Sequence, residues 1–325
     1  MTPKKTGVVL NDEAHALDLF GVGTKRRKIP NAVSFFYSGI PKKTKKKTSG
    51  RMERELYRMV VGGYEEGVRD VLRNNPEVDV NWTDDHRRTV LHWACINGKA
   101  PVVTLLLAHP AIEVNPKDFE GFTPFKKACY HGRSACVRVL LKDSRVELGA
   151  VSTSTYTPIC WAACRGFDDV IKWWVASGRQ VDLGEPGNPL TDPVAAVKRT
   201  EPGLNARSRA RAKALLEMLG RFKEDPEETR AAVRTEIGWY EELAAEVFAL
   251  VVFVSDGILR LKEGGNQPAI TPPATRFFTM TSMLPLELQM VLCYRLVGSV
   301  KEIIPRLIME EAFKDQVRSL GAKRN

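Results

Sequence analysis

The chain has 325 residues, with 49 Lys and Arg against 39 Asp and Glu, a net charge of +10 and a pI near 9.3. Hydrophobic residues make up 43%, enough for the core of one or two domains, which excludes wholesale disorder. Such a charge points to nucleic acid or a membrane surface only if it lies on the folded surface.

The charge lies elsewhere. Residues 1–50 hold 11 basic side chains against three acidic ones (Asp12, Glu13, Asp18), a balance of +8, and residues 51–325 carry only +2. Residues 1–51 are therefore expected to be a disordered basic tail. Lys4 and Lys5 are followed by no apolar run, so a secretory leader is not expected. Two clusters follow, Lys25, Arg26, Arg27 and Lys28, then Lys42, Lys43, Lys45, Lys46 and Lys47, separated by 13 residues. They read as a bipartite nuclear import signal that engages an import receptor, or as a solvated tail touching RNA or membrane. Asp12-Glu13-Ala14-His15 spells a helicase signature, but no phosphate-cradling Gly-x-x-x-x-Gly-Lys-Ser/Thr loop accompanies it.

From residue 52 onward the pattern is periodic. Glu55 to Leu72 reads as an N-terminal capping unit that runs into Val80-Asn81, a pair that recurs 34 residues on as Val114-Asn115. Thr89, Thr123 and Thr157 fall at the same interval, as do Ala94, Ala128 and Ala162, and Gly98, Gly132 and Gly166. The segments Thr89-Val-Leu-His-Trp-Ala-Cys-Ile-Asn-Gly98, Thr123-Pro-Phe-Lys-Lys-Ala-Cys-Tyr-His-Gly132 and Thr157-Pro-Ile-Cys-Trp-Ala-Ala-Cys-Arg-Gly166 each precede an apolar run. The physical reading is a helix capped by Thr, with Pro where its missing N–H costs nothing, ended by a left-handed Gly and followed by a second, apolar helix. Three residue classes in one register mark a repeat architecture. Thr191 and Ala196 continue the register, residues 200–208 read as an insertion, and a further helix runs from Arg209 to Phe222. The array spans about five units, residues 52–222, more than the minimum for a self-supporting stack.

These segments resemble the ankyrin repeat, whose pattern is Thr-Pro-Leu-His, Ala-Ala, Gly, Val-Val and Leu-Leu. The resemblance implies an all-α solenoid of helix–turn–helix units. His92 stands where the family's His ties neighbouring units together, with Lys126 and Cys160 in its place further on. Arg87 and Thr155 replace the hairpin Gly that Gly121 retains.

Beyond the array, Asp225-Pro226-Glu227-Glu228 starts a helix that opens an extension over 223–262. Its apolar stretch from Leu243 to Leu261 is broken by Glu246 and Asp256, so no membrane span is expected. Gly and Pro mark a linker at 263–275, and 276–325 reads as a C-terminal helical segment. There Leu284-Pro-Leu-Glu-Leu-Gln-Met-Val-Leu292 resembles the opening of an F-box, as at the C-terminus of some poxvirus ankyrin proteins. That resemblance implies that Leu284, Pro285, Glu287, Leu288 and Leu292 dock a Skp1-type adaptor of a cullin ubiquitin ligase while the array selects the substrate. The alternative is an amphipathic helix closing the array's hydrophobic end.

The chemistry is sparse. The six cysteines are simplest as reduced thiols, and Cys160 and Cys164, at i and i+4, lack the convergent ligands of a zinc site. No nucleophile–base constellation stands out among the five histidines, and Trp173 and Trp174 read as core. No enzyme, cofactor or metal is expected, and the location expected is cytoplasm, nucleus or both. The function expected is a scaffold or adaptor binding a partner protein.

The ankyrin resemblance implies that the partner meets the hairpin tips and a concave face. In this chain those positions are Asp85, His86, Arg88, Ile96 and Asn97; then Phe119, Glu120, Phe122, Tyr130 and His131; then Tyr156 and Arg165, with Trp82 before the first hairpin. Phe119, Phe122 and Tyr130 make the middle unit aromatic, as interface anchors often are. Phe119 or Phe122 folding down onto the adjacent helix is the alternative.

Overall fold

The computed structural model describes residues 8–10, 50–149, 156–200, 206–256, 259–261, 273–299 and 301–323. The import clusters lie outside these residues, as does Thr155. The chain divides into two compact units, one over 41–237 and the other over 238–320 with 1–40.

The first unit is a stack of helix pairs. The entry pair is α1 (Arg51–Gly62) and α2 (Glu65–Asn74). Three pairs follow: α3 (Val90–Ile96) with α4 (Ala100–Leu107), α5 (Pro124–Tyr130) with α6 (Ser134–Lys142), and α7 (Pro158–Cys164) with α8 (Asp168–Ala176). The last pair is α9 (Pro193–Thr200) with the longer α10 (Ala206–Glu224). First helices pack on first helices through α9 and second on second through α8, so each of these units buries its apolar face against the next, while α10 packs on α9 and on the helix that follows it.

The periodic residues explain the stack. Thr89, Thr123 and Thr157 cap α3, α5 and α7, each hydroxyl accepting the N–H three residues on, at 3.4, 3.3 and 3.4 Å. Gly98, Gly132 and Gly166 end the same helices at φ 70°, 64° and 73°. Ala94, Ala128 and Ala162 are fully buried where first helices meet.

His92 does what the resemblance implies. Its Nδ1 accepts the Thr89 N–H at 3.1 Å, which leaves the proton on Nε2 to donate to the Phe122 carbonyl of the next unit at 2.9 Å. Burial holds its pKa below the usual value, against the pull of the Phe122 carbonyl.

Asn81 and Asn115 supply a second tie. Asn81 donates to the Ala111 carbonyl at 2.7 Å and accepts from the Glu113 N–H at 2.9 Å. Asn115 repeats both bonds one unit on, with the Arg145 carbonyl at 2.7 Å and the Glu147 N–H at 2.9 Å.

Arg87 occupies the hairpin position without being Gly and still takes φ 58°. Asp84 holds that turn: its Oδ1 accepts the N–H groups of His86 and Arg88 at 2.9 and 2.8 Å.

The array does not end at residue 222. Asp225 caps α11 (Pro226–Glu236), accepting the N–H groups of Glu227 and Glu228 at 3.0 and 2.9 Å. From α11, Arg230 and Arg234 donate to the carbonyls of Val175 and Ala176 at 3.1 and 2.8 Å, and Lys172 pairs with Glu236 at 2.8 Å. Guanidinium groups thus satisfy the open C-terminal carbonyls of α8. This helix, expected to open the extension, belongs to the array. Helix α9 starts one residue later than the 34-residue register, because Asp192 rather than Thr191 caps it and accepts the Val194 N–H at 2.9 Å.

The second unit is built on α12 (Trp239–Ser255), whose Leu243, Val247, Phe248 and Val251 are buried. Around it pack α13 (Pro273–Thr281), α14 (Leu286–Leu296) and α15 (Arg306–Lys323), with Phe278, Tyr294 and Ala312 in the common core. An apolar helix buried on most sides explains the hydrophobic stretch around Glu246, and no described helix is long and apolar enough to cross a membrane. Strand β1 (Val8–Leu10) lies in the expected tail and pairs in parallel with β2 (Leu259–Leu261), Val8 opposite Leu259.

Candidate protein-recognition face

The hairpins before α3 and α5 project from the array edge and touch each other. The Phe119 N–H donates to the His86 carbonyl at 3.1 Å, linking the two tips. Asp118 repeats the role of Asp84, its Oδ1 accepting the N–H groups of Glu120 and Phe122 at 3.0 and 2.8 Å. Between the tips His86, Arg88, Asp118, Phe119, Glu120 and Lys127 line a cavity of about 180 Å³.

The charges here are largely internal. Arg88 pairs with Asp84 at 3.0 Å, and Lys127 pairs with Asp118 at 2.9 Å and with Glu120. Burial opposes the charge on Asp84. The Arg88 N–H, the Trp93 indole and the His86 N–H, with the Arg88 guanidinium, nevertheless hold its carboxyl below the usual carboxylate range.

The expected residues divide by exposure. Asp85, His86, Phe119, Glu120 and Arg165 are exposed, Phe119 at 66%. Trp82, Arg88, Ile96, Asn97, Tyr130, His131 and Tyr156 are half-buried. Phe122 is a correction: it is buried beneath the Nζ atoms of Lys126 and Lys127, 4.3 and 4.5 Å from its ring centre. The two cations satisfy the ring face and shut it off from a partner. Of the two aromatics before α5, Phe122 folds down and Phe119 stands out.

The face also holds residues that sequence reasoning did not single out for binding. Trp93, Lys127 and Trp161 occupy one position of the 34-residue register on α3, α5 and α7, where the two Trp are half-buried and Lys127 is buried. Trp161 joins the expected Tyr130 and Tyr156, with ring centres 4.8 and 4.9 Å away, and Arg165 stacks on Tyr130 at 4.4 Å. At the other end Tyr57 meets Trp93 and Trp82 at 5.7 and 6.2 Å. The signal was the same period that revealed the fold.

The thiols are packing groups. Cys95, Cys129, Cys136, Cys160 and Cys293 are buried. Burial pushes Cys136, Cys160 and Cys293 up to about 12. Among the described residues no group of His, Cys, Asp and Glu is arranged to hold a metal ion.

The family model of ankyrin repeats (3 copies) matches residues 56–151. Those residues are an ankyrin-repeat array. The same stacking of helices continues past the matched segment through α7, α8 and α9. Among solved structures, the chain is similar to the ankyrin repeat domain of Bcl-3, titled a unique member of the IkappaB protein family. The identity is 21%, covering 50% of this chain and 71% of that one, with a TM-score of 0.41. No curated protein matches the chain. Ankyrin repeats serve protein–protein interaction.

Proposed function

We propose that the chain is an interaction scaffold or adaptor. Its ankyrin face, from the Phe119 hairpin tip across Tyr130, Trp161 and Tyr156, binds a partner protein and takes no part in catalysis. One observation carries this reading: the half-buried Tyr130, Trp161 and Tyr156 gather into one aromatic cluster at the end of α5 and the start of α7. The test is affinity purification with the full chain and with Phe119→Ala/Tyr130→Ala. A discrete partner lost in the folded variant supports the reading. A partner retained in full removes this face from it.

A second reading adds a role as substrate receptor of a cullin-type ubiquitin ligase. Helix α14 turns Gln289, Cys293 and Tyr294 inward, while Pro285, Leu286, Glu287, Leu288, Leu292 and Leu296 are exposed and Leu284 is half-buried. Leu288, Leu292 and Leu296 recur every four residues, an apolar stripe that suits a Skp1-type adaptor. The helix packs on α12 within its own unit. Co-purification of such an adaptor, lost in Leu288→Glu/Leu292→Glu, supports this role, and co-purification without loss contradicts it. The basic clusters at 25–28 and 42–47 add an import role, tested by whether a fusion of residues 1–50 carries a fluorescent protein into the nucleus.

A further inference from the structure

Some cations of the array meet carboxylates and others meet neutral groups, as Arg179 meets the carbonyls of Leu141, Asp143 and Val146. Arg69, Arg88, Lys127, Arg145 and Lys172 each meet a carboxylate between 2.6 and 3.0 Å. Arg133, Arg165 and Arg199, all exposed near the C-terminal ends of α5, α7 and α9, meet only neutral groups among the described residues. Arg133 donates to the Ile96 carbonyl at 2.9 Å, Arg165 lies over the Tyr130 ring, and Arg199 reaches the Tyr156 hydroxyl at 3.4 Å. The aromatic cluster of Tyr130, Trp161 and Tyr156 lies among them. His131 records the local field: burial lowers its pKa, and Arg133, Lys127 and Arg165 lower it further.

A second observation concerns Trp161. In the first repeat, the Trp93 indole N–H donates to Asp84 Oδ2 at 3.0 Å. The indole N–H of Trp161, two units on in the same register, is buried and has no hydrogen-bond partner among the described residues. The register puts Ser152 where Asp84 and Asp118 stand, and residues 150–155 (Ala-Val-Ser-Thr-Ser-Thr) contain no acid. The third unit thus keeps the donor but lacks the carboxylate that the first unit supplies from its own hairpin. An unmet buried donor is costly, and an incoming acceptor recovers that cost.

We propose that this strip receives an acidic segment of a partner protein. Its carboxylates pair with Arg133, Arg165 and Arg199, one of them reaches the Trp161 indole, and an apolar side chain packs on Tyr130 and Tyr156. The inference rests on the protein-recognition reading and names the chemistry of its partner. Arg at each end and aromatic faces between suit an extended chain with repeated Asp or Glu.

The test is selection of a random 12-residue phage-displayed peptide library on the full chain. Selected peptides are expected to be rich in Asp and Glu. Their affinity should fall at least tenfold on Arg133→Gln/Arg165→Gln/Arg199→Gln and should fall with added salt. Lys213→Gln, an exposed cation on α10, should leave it unchanged. Unchanged urea midpoints establish that the variants fold. Peptides without acidic excess that still compete with the captured partner overturn the acidic assignment and keep the recognition reading. Failure to select any peptide that this face retains overturns both. Displacement of the peptides by micromolar oligouridylate reassigns the strip to RNA and overturns the proposal.

Discussion

Replacing His92 by Leu tests the tie between the first two repeats. Leu fills most of the imidazole volume, so the substitution removes hydrogen bonds rather than opening a large cavity. Two buried groups lose their partners: the Phe122 carbonyl, which accepts from Nε2 at 2.9 Å, and the Thr89 N–H, which donates to Nδ1 at 3.1 Å. Each buried group left unmet costs about 1–3 kcal/mol, so the loss should be about 2–6 kcal/mol. With a urea slope of about 2–3 kcal/mol per molar for a unit of this size, the midpoint should fall by ~1–3 M. Tryptophan fluorescence is a suitable probe, because Trp82, Trp93, Trp161, Trp173 and Trp174 all lie in the array. The pH arm fixes the cause. His92 has a folded pKa depressed below its unfolded value near 6.5, so its contribution is complete above that pH. It is lost as pH falls from 6.5 through the folded pKa, since only the unfolded chain protonates freely. The gap between wild type and His92→Leu should therefore narrow on acidification. A midpoint shift below about 0.3 M at pH 8, or a gap that widens in acid, refutes the reasoning.

The remaining predictions use other parts of the fold. Asn115→Ala removes both bonds to the next unit and should cost about 1–2 kcal/mol, with faster amide exchange at Glu147. Gly132→Ala puts a Cβ within 2.5 Å of the Phe167 ring at a residue with φ 64°, and should lower the urea midpoint by the equivalent of about 1–3 kcal/mol. In the folded protein at pH 8, Cys136, Cys160 and Cys293, held near 12, should resist iodoacetamide until urea unfolds the chain, as mass spectrometry of the alkylated peptides would show. Leu288→Glu/Leu292→Glu should change stability by less than about 0.5 kcal/mol, because both side chains are exposed.

The fold was legible where a residue's role depends on its own helix or its own period. Thr89, Thr123 and Thr157, the terminal glycines and Asp225 act locally, so spacing alone placed them. His92 and Asn81 act across units, but the period carries their partners along with them. The allegiance of α11 was not legible. It is decided by Arg230 and Arg234 reaching carbonyls more than 50 residues away, a contact with no periodic trace. The fate of Phe122 was open for the same reason. Its burial depends on Lys126 and Lys127, residues that sequence alone treats as solvated. Strand β1 was missed because three residues in a charged tail leave no alternation to read, and their pairing partner lies some 250 residues away. At the site, the roles of Trp93 and Trp161 depend on ring contacts with Tyr57 and Tyr130 in neighbouring units, which spacing within one helix does not reveal.

The central claim is that the outward face of the first helices holds a partner protein. Its most direct measurement is the affinity of the full chain for its captured partner, set against that of Phe119→Ala/Tyr130→Ala/Tyr156→Ala with an unchanged urea midpoint. The account expects a loss of at least tenfold in the triple variant and none in Lys213→Ala on α10. Equal affinity in the triple variant, with the fold intact, would contradict it.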